Sequence, residues 1–160
     1  MAVPDMDGAI MRELSEKLIR FLETGDVPEG LFRPDVFLDL TMPTWRVQTT
    51  NAENLIAERK QGHPGPGRVT RWRADPTPSG FVLEFEERWN SEGQQWYARE
   101  MMRIELSGGT ITEVTVYCTG DWDQAGRPST PRPSPWSVPS RYRARAGPRP
   151  APAQRPAGSA

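Results

Sequence analysis

FVLEFEERWNSEGQQWYAREMMRIEL, residues 81–106, decides the fold. Two runs rich in Val, Phe, Trp, Tyr and Ile flank the turn-forming SEG, the pattern of a β-hairpin. With Glu92 and Gly93 as a two-residue turn, Trp89 faces Trp96, Glu87 faces Ala98, Phe85 faces Glu100, Leu83 faces Met102 and Phe81 faces Ile104. That side is apolar apart from two carboxylates. The other side pairs Glu86 with Arg99, Glu84 with Met101 and Val82 with Arg103, a largely solvated set with an opposite-charge pair.

The runs on either side, RVTRWRAD and TITEVTVYC, read as two more antiparallel strands bounded by PTPS and SGG. Carrying the pairing through a Gly108–Gly109 turn sets Leu106 opposite Ile111, Met102 opposite Thr115 and Glu100 opposite Tyr117. On the other flank it sets Trp72 beside Leu83 and Arg71 beside Glu84. The inner face is then expected to carry Trp72, Phe85, Glu87, Trp89, Trp96, Glu100, Met102, Thr115 and Tyr117, with Cys118 on the opposite side as an inert thiol. A bulge in any of these strands changes the parity locally.

Upstream, Ile10, Leu14, Leu18 and Phe21 recur at helical spacing, Asp7 is placed to cap, and Gly25 suits the stop, so a helix is expected over residues 8–24. A short helical turn around residues 28–32 and a strand in RPDVFLDLTM follow. Thr50 and Glu53 form a T-x-x-E capping box before a second helix that ends at Gly62 ahead of Pro64. Helices followed by an antiparallel run define an α+β fold.

At 160 residues the chain is one domain's length. Its formal charge of -1 conceals a division: residues 126–160 hold seven of the 20 basic residues and none of the 21 acidic ones, so this segment is +7 and residues 1–125 are -8. An acidic body argues against nucleic acid as partner. With nine prolines and few large apolar residues, 126–160 is expected to be a disordered Pro/Arg-rich tail and 1–125 the folded domain. No apolar run is long enough to span a membrane and the start lacks the pattern of a secretory signal, which leaves the cytoplasm as the expected location. A lone cysteine, Cys118, fits a reducing compartment and offers no zinc-ligand pattern, so no metal site is expected.

The order of elements, with LIRFLETGD, LFRPDVFLDL, AENLIAERKQG, the hairpin above and the closing GGTITEVTVYCTGDWD, resembles the nuclear-transport-factor-2-like superfamily, and especially its SnoaL-like branch, over residues 9–123. The resemblance implies a cone: a curved, mainly antiparallel sheet wrapped around N-terminal helices, enclosing a mostly apolar pocket. It further implies cofactor-free proton chemistry such as polyketide cyclisation, dehydration, isomerisation or epoxide opening in members with activity, ligand or partner binding alone in others, and homodimers packed through the sheet. Tyr97, Met101, Val114 and Val116 are the residues expected on such a dimer face.

Glu100 is the leading candidate for chemistry, because a mid-strand carboxylate among apolar neighbours is costly to bury unpaired and its pKa is expected to rise. Tyr117 opposite it is the expected hydrogen-bond donor to a developing oxyanion. Asp39 is a second candidate catalytic acid, with an exposed strand-end role as its alternative. Trp72, Phe85, Glu87, Trp89, Trp96, Met102 and Thr115 are the candidate substrate contacts, with ordinary core packing as the alternative for the aromatics. Asp121 and Asp123 are read as solvated turn acids, and His63, in the Gly/Pro loop QGHPGPG, as a surface histidine. No phosphate loop or Ser-His-Asp order is present. Two functions follow: a cofactor-independent enzyme acting on a hydrophobic, oxygen-bearing small molecule, or a non-catalytic ligand-binding or dimerisation module.

Overall fold

The computed structural model describes residues 7–123; the expectation for the Pro/Arg-rich segment 126–160 falls outside them. Helix α1, Gly8–Thr24, begins where the Asp7 carboxylate accepts from the Ala9 N–H at 2.9 Å and ends at Gly25, whose φ of 74° lets its N–H reach the Phe21 carbonyl. Leu14, Leu18, Phe21 and Leu22 are buried along one stripe, while Ile10 at the first turn is exposed. The expected helical turn at 28–32 is only a turn, closed by the Leu31 N–H on the Pro28 carbonyl.

Strand β1, Phe32–Thr41, pairs antiparallel with β2, Arg46–Thr50, a strand whose short polar sequence does not announce it. Helix α2, Ala52–Gly62, is capped by Asn51 rather than by Thr50: the Asn51 side chain accepts from the Asn54 N–H at 2.9 Å. Four long strands follow, β3 (Gly67–Thr77), β4 (Gly80–Ser91), β5 (Gln94–Ser107) and β6 (Thr110–Cys118), and a two-residue β7, Trp122–Asp123, adds to β5. The sheet order is β2-β1-β6-β5-β4-β3, antiparallel throughout except for the parallel β1–β6 pair. Helix α1 lies on β3 and β4, and α2 on β1 and β2. The result is an α+β architecture, two helices on a curved, open mixed sheet.

The β4–β5 register is the one the hairpin sequence dictates, Trp89 to Trp96 through Phe81 to Ile104. Its turn puts Glu92 at φ 52° and Gly93 at φ 76°, the two successive positive values of a type I′ turn. Phe81, Leu83, Phe85 and Ile104 are fully or almost fully buried on one face, each worth about 1.5–3 kcal/mol relative to exposure.

The β5–β6 register departs from expectation. Leu106 does face Ile111, but Thr112 is an extra residue, and beyond it every pair slips by one: Met102 faces Val116, Met101 faces Tyr117 and Glu100 faces Cys118. A single bulge therefore inverts β6. Val114 and Val116 turn into the core, Cys118 follows them, and Thr115 and Tyr117 turn out, Tyr117 to 56% exposure. The β3–β4 register differs as well: a two-residue turn at Pro78-Ser79, with Thr77 facing Gly80, sets Trp72 opposite Phe85 rather than Leu83 and Arg71 opposite Glu86 rather than Glu84, and a second bulge follows at Thr70.

Candidate functional site

Between the helices and the sheet lies a cavity of about 510 Å³. Leu18, Phe21 and Leu22 of α1, Leu38 and Leu40 of β1, and Leu55 of α2 form apolar walls, joined by Met102, Val114 and Val116 from the sheet. Trp45, from the turn between β1 and β2, lines the cavity while remaining half-exposed. Glu100, His63, Arg59, Cys118 and Asp121 bring the polar groups. An apolar enclosure with a few convergent polar groups is the usual build of a small-molecule site.

Glu100 is held there by the alternation of β5, between Phe85 on β4 and Cys118 on β6. It is only 7% exposed, and its Oε1 has no hydrogen-bond partner among the described residues. Burial lifts its carboxyl to about 7; His63 and Arg59 pull it down, while Glu87 and Asp121 push it up. The group is therefore divided between acid and carboxylate at neutral pH, as proton transfer requires. Beside it, burial and the negative Glu100 push the Cys118 thiol up to about 12, so it stays protonated.

The neighbouring acid, Glu87, is fully buried and fully engaged. Both its oxygens accept from the Arg59 guanidinium, Nη1 donating to Oε2 at 3.0 Å and Nη2 to Oε1, and Arg59 Nη2 also donates to the Leu22 carbonyl at 2.6 Å. His63 Nδ1 lies 3.2 Å from Glu87 Oε2 and against Arg59 Nη1, and His63 Nε2 is 3.7 Å from Asp121 Oδ1. Burial opposes charge on both Glu87 and His63, but for Glu87 the His63 and Arg59 contacts prevail and hold its pKa low. For His63 the contacts to Asp121 and Glu87 prevail and hold its pKa high. Gly67 makes room: a Cβ there would sit 2.5 Å from Glu87 Oε1.

Several expected site residues fall elsewhere. Tyr117 and Thr115 face away from the cavity because of the Thr112 bulge, so Tyr117 is not the hydrogen-bond partner of Glu100. Asp39 alternates with the cavity-lining Leu38 and Leu40, and its carboxylate is forked by Arg46 and receives Gln48 Nε2 at 3.2 Å. Arg46 holds its pKa low, which suits a structural ion pair rather than a proton carrier. Trp72 is 39% exposed on the edge strand and lines no part of the cavity. Phe85 is core, and Trp89 stacks on the His63 ring at 4.0 Å and on Trp96 at 6.5 Å, so these residues support the site from behind. Met102 and Glu100 line the cavity, and Glu87 lies behind it in contact with the lining residues Arg59 and His63.

Arg59 and His63 were not anticipated, and His63 is not a surface residue: its side chain is 9% exposed. One signal was available. Arg59 and His63 are four residues apart at the end of α2, on one helix face, and the inward-facing Glu87 needed a partner.

Fold and cavity together define a pocket-bearing α+β protein, and comparison with solved structures narrows the class. An NTF2-like protein from Anabaena variabilis superposes with a TM-score of 0.60 at 14% identity, covering 71% of this chain and 89% of its own. A Xanthomonas campestris protein of unknown function with a cystatin-like fold gives 0.56 at 13% identity over 69% and 91%. A structure described as a putative polyketide cyclase from Pseudomonas putida gives 0.52 at 19% over 66% and 88%. The chain has the nuclear-transport-factor-2-like fold. No family model and no curated protein matches its sequence.

Proposed function

We propose that the protein is a SnoaL-like, cofactor-independent enzyme that binds one hydrophobic, oxygen-bearing metabolite in the cavity and moves a proton with Glu100. The observation that carries this reading is the buried Glu100 carboxyl, poised near 7 with an unpartnered oxygen in a largely apolar cavity. Holding an unsatisfied buried polar atom costs about 1–3 kcal/mol, a cost that a ligand hydroxyl or carbonyl removes. Glu100 takes a proton from carbon or oxygen as carboxylate and returns it as acid; Arg59 and Glu87 hold the His63 ring beside it. The putative polyketide cyclase among the similar structures supports cyclisation, dehydration or isomerisation as the reaction type.

The outer sheet face, with Met101 and Tyr117 exposed and Tyr97 beside them, supports a homodimer, without the two valines that the bulge turns inward. Among the described residues no helix is long and apolar enough to cross a membrane, in keeping with a cytoplasmic setting.

A panel of polyketide-like ketones and terpenoid alcohols, kept in chelator, tests the reading by native mass spectrometry and product analysis. One bound molecule per chain is expected, with turnover lost in Glu100→Gln. Turnover that survives in the variant refutes the role of Glu100, and binding without turnover makes the protein a ligand-binding module.

A further inference from the structure

Beyond that reading, which concerns the metal-free protein, we propose that His63, Glu87 and Glu100 form a site for one divalent transition-metal ion of the zinc class, a state in which Glu100 is a ligand and not the proton carrier. A donor atom from each lies within 4.8 Å of the others, and the three come from separate elements: the end of α2, β4 and β5. A cluster of acids alone would mean little. Here one member, Glu100, is more than nine-tenths buried and has an oxygen without a partner, in reach of the two other donors.

The surroundings are those of ligand side chains held from behind. Metal-binding imidazoles donate their second ring N–H to a carboxylate, and ligating carboxylates are themselves hydrogen-bonded. Asp121 stands 3.7 Å from His63 Nε2, which leaves Nδ1 as the donor atom, 3.2 Å from Glu87 Oε2. Two ligands about 2.0–2.1 Å from one tetrahedral ion are about 3.3 Å apart, so this pair needs little adjustment. Arg59 contacts both Glu87 oxygens and His63 Nδ1. Each carboxylate oxygen has two lone pairs, so Arg59 can keep Glu87 while the ion takes its place on Nδ1.

Charge points the same way. With His63 neutral as a ligand, the buried carboxylates of Glu87 and Glu100 and the exposed one of Asp121, against the single guanidinium of Arg59, leave two negative charges around the site. A divalent ion balances them, where uncompensated buried charge is costly. One imidazole and two carboxylates suit zinc, cobalt, manganese or iron rather than calcium, which takes oxygen ligands alone. Glu100 and His63 both line the cavity, so the remaining coordination position opens onto it.

The test uses full-length protein stripped with chelator and then dialysed, with zinc chloride followed by calorimetry and cobalt(II) chloride by visible absorption, no organic ligand being added. One ion per chain is expected, with affinity lower by about a hundredfold in Glu100→Gln. His63 is the chain's single histidine, so its imidazole NMR signals report directly on wild type: saturable shifts at one equivalent of zinc are expected whether or not the variant folds. Unmoved imidazole signals, an absence of saturable binding, or equal affinity in a folded Glu100→Gln mean an adventitious ion only and overturn the proposal. Such a failure leaves the ligand reading intact, because the metabolite panel is run in chelator.

Discussion

Replacing Glu100 by Gln should stabilise the protein, and by an amount that depends on pH. The carboxyl titrates near 7 in the folded chain against an ordinary value of 4.5. A folded pKa raised above the unfolded one means that the group is harmless while protonated, below about pH 4.5, and opposes folding increasingly as pH rises to 7. The accumulated penalty is about 3 kcal/mol, from about 1.4 kcal/mol per pH unit between the two values. Glutamine keeps the size and does not titrate. The stability of Glu100→Gln minus that of wild type should therefore rise by about 3 kcal/mol between pH 4.5 and 8 and level off above 7. For about 120 ordered residues the unfolding entropy is about 0.25 kcal/mol/K, so the melting temperatures should separate by about 12 °C. Urea titrations and scanning calorimetry of both proteins at pH 4.5, 6, 7 and 8, without ligand, read the difference directly, and groups common to both cancel. A difference independent of pH, or a wild type more stable than the variant at pH 8, refutes the reasoning and makes Glu100 a structural ion-pair member.

Arg59→Met leaves Glu87, fully buried, without its forked partner, and should cost about 3–5 kcal/mol by urea denaturation; a loss below about 1 kcal/mol would show that His63 alone satisfies Glu87. Tyr117→Phe removes a hydroxyl that points away from the cavity, and should change stability by less than about 0.5 kcal/mol and leave binding and turnover unaltered. A tenfold fall in turnover in Tyr117→Phe would place that residue at the site after all.

What the sequence disclosed and what it hid divide along physical lines. The β4–β5 register was legible because Glu92-Gly93 admits one tight turn, and a two-residue turn sets every pair above it. Glu100 was legible for the same reason, as the one of the two carboxylates on the apolar side that sits at the middle of its strand. Tyr117 was misplaced because Thr112 bulges, and nothing in TITEVTVYC marks where an extra residue is absorbed; with alternation of period two, that residue exchanged Tyr117 for Cys118 at the cavity. Asp39 was misjudged because its partner Arg46 sits on β2, a strand too short and polar to show itself by pattern. The Arg59–Glu87–His63 cluster joins residues 28 positions apart, and pairing over that distance is decided by how α2 lies on the sheet.

The most direct test is a titration of Glu100 itself. Carboxyl 13C NMR of glutamate-labelled protein, with the resonance assigned by its disappearance in Glu100→Gln, follows the one carboxyl on which the proposed chemistry depends. A midpoint near 7 in the ligand-free, metal-free protein is expected, moving when a bound metabolite supplies a partner for the vacant oxygen. A midpoint near the ordinary 4.5, unchanged by any bound metabolite, contradicts a proton-transfer role for this residue.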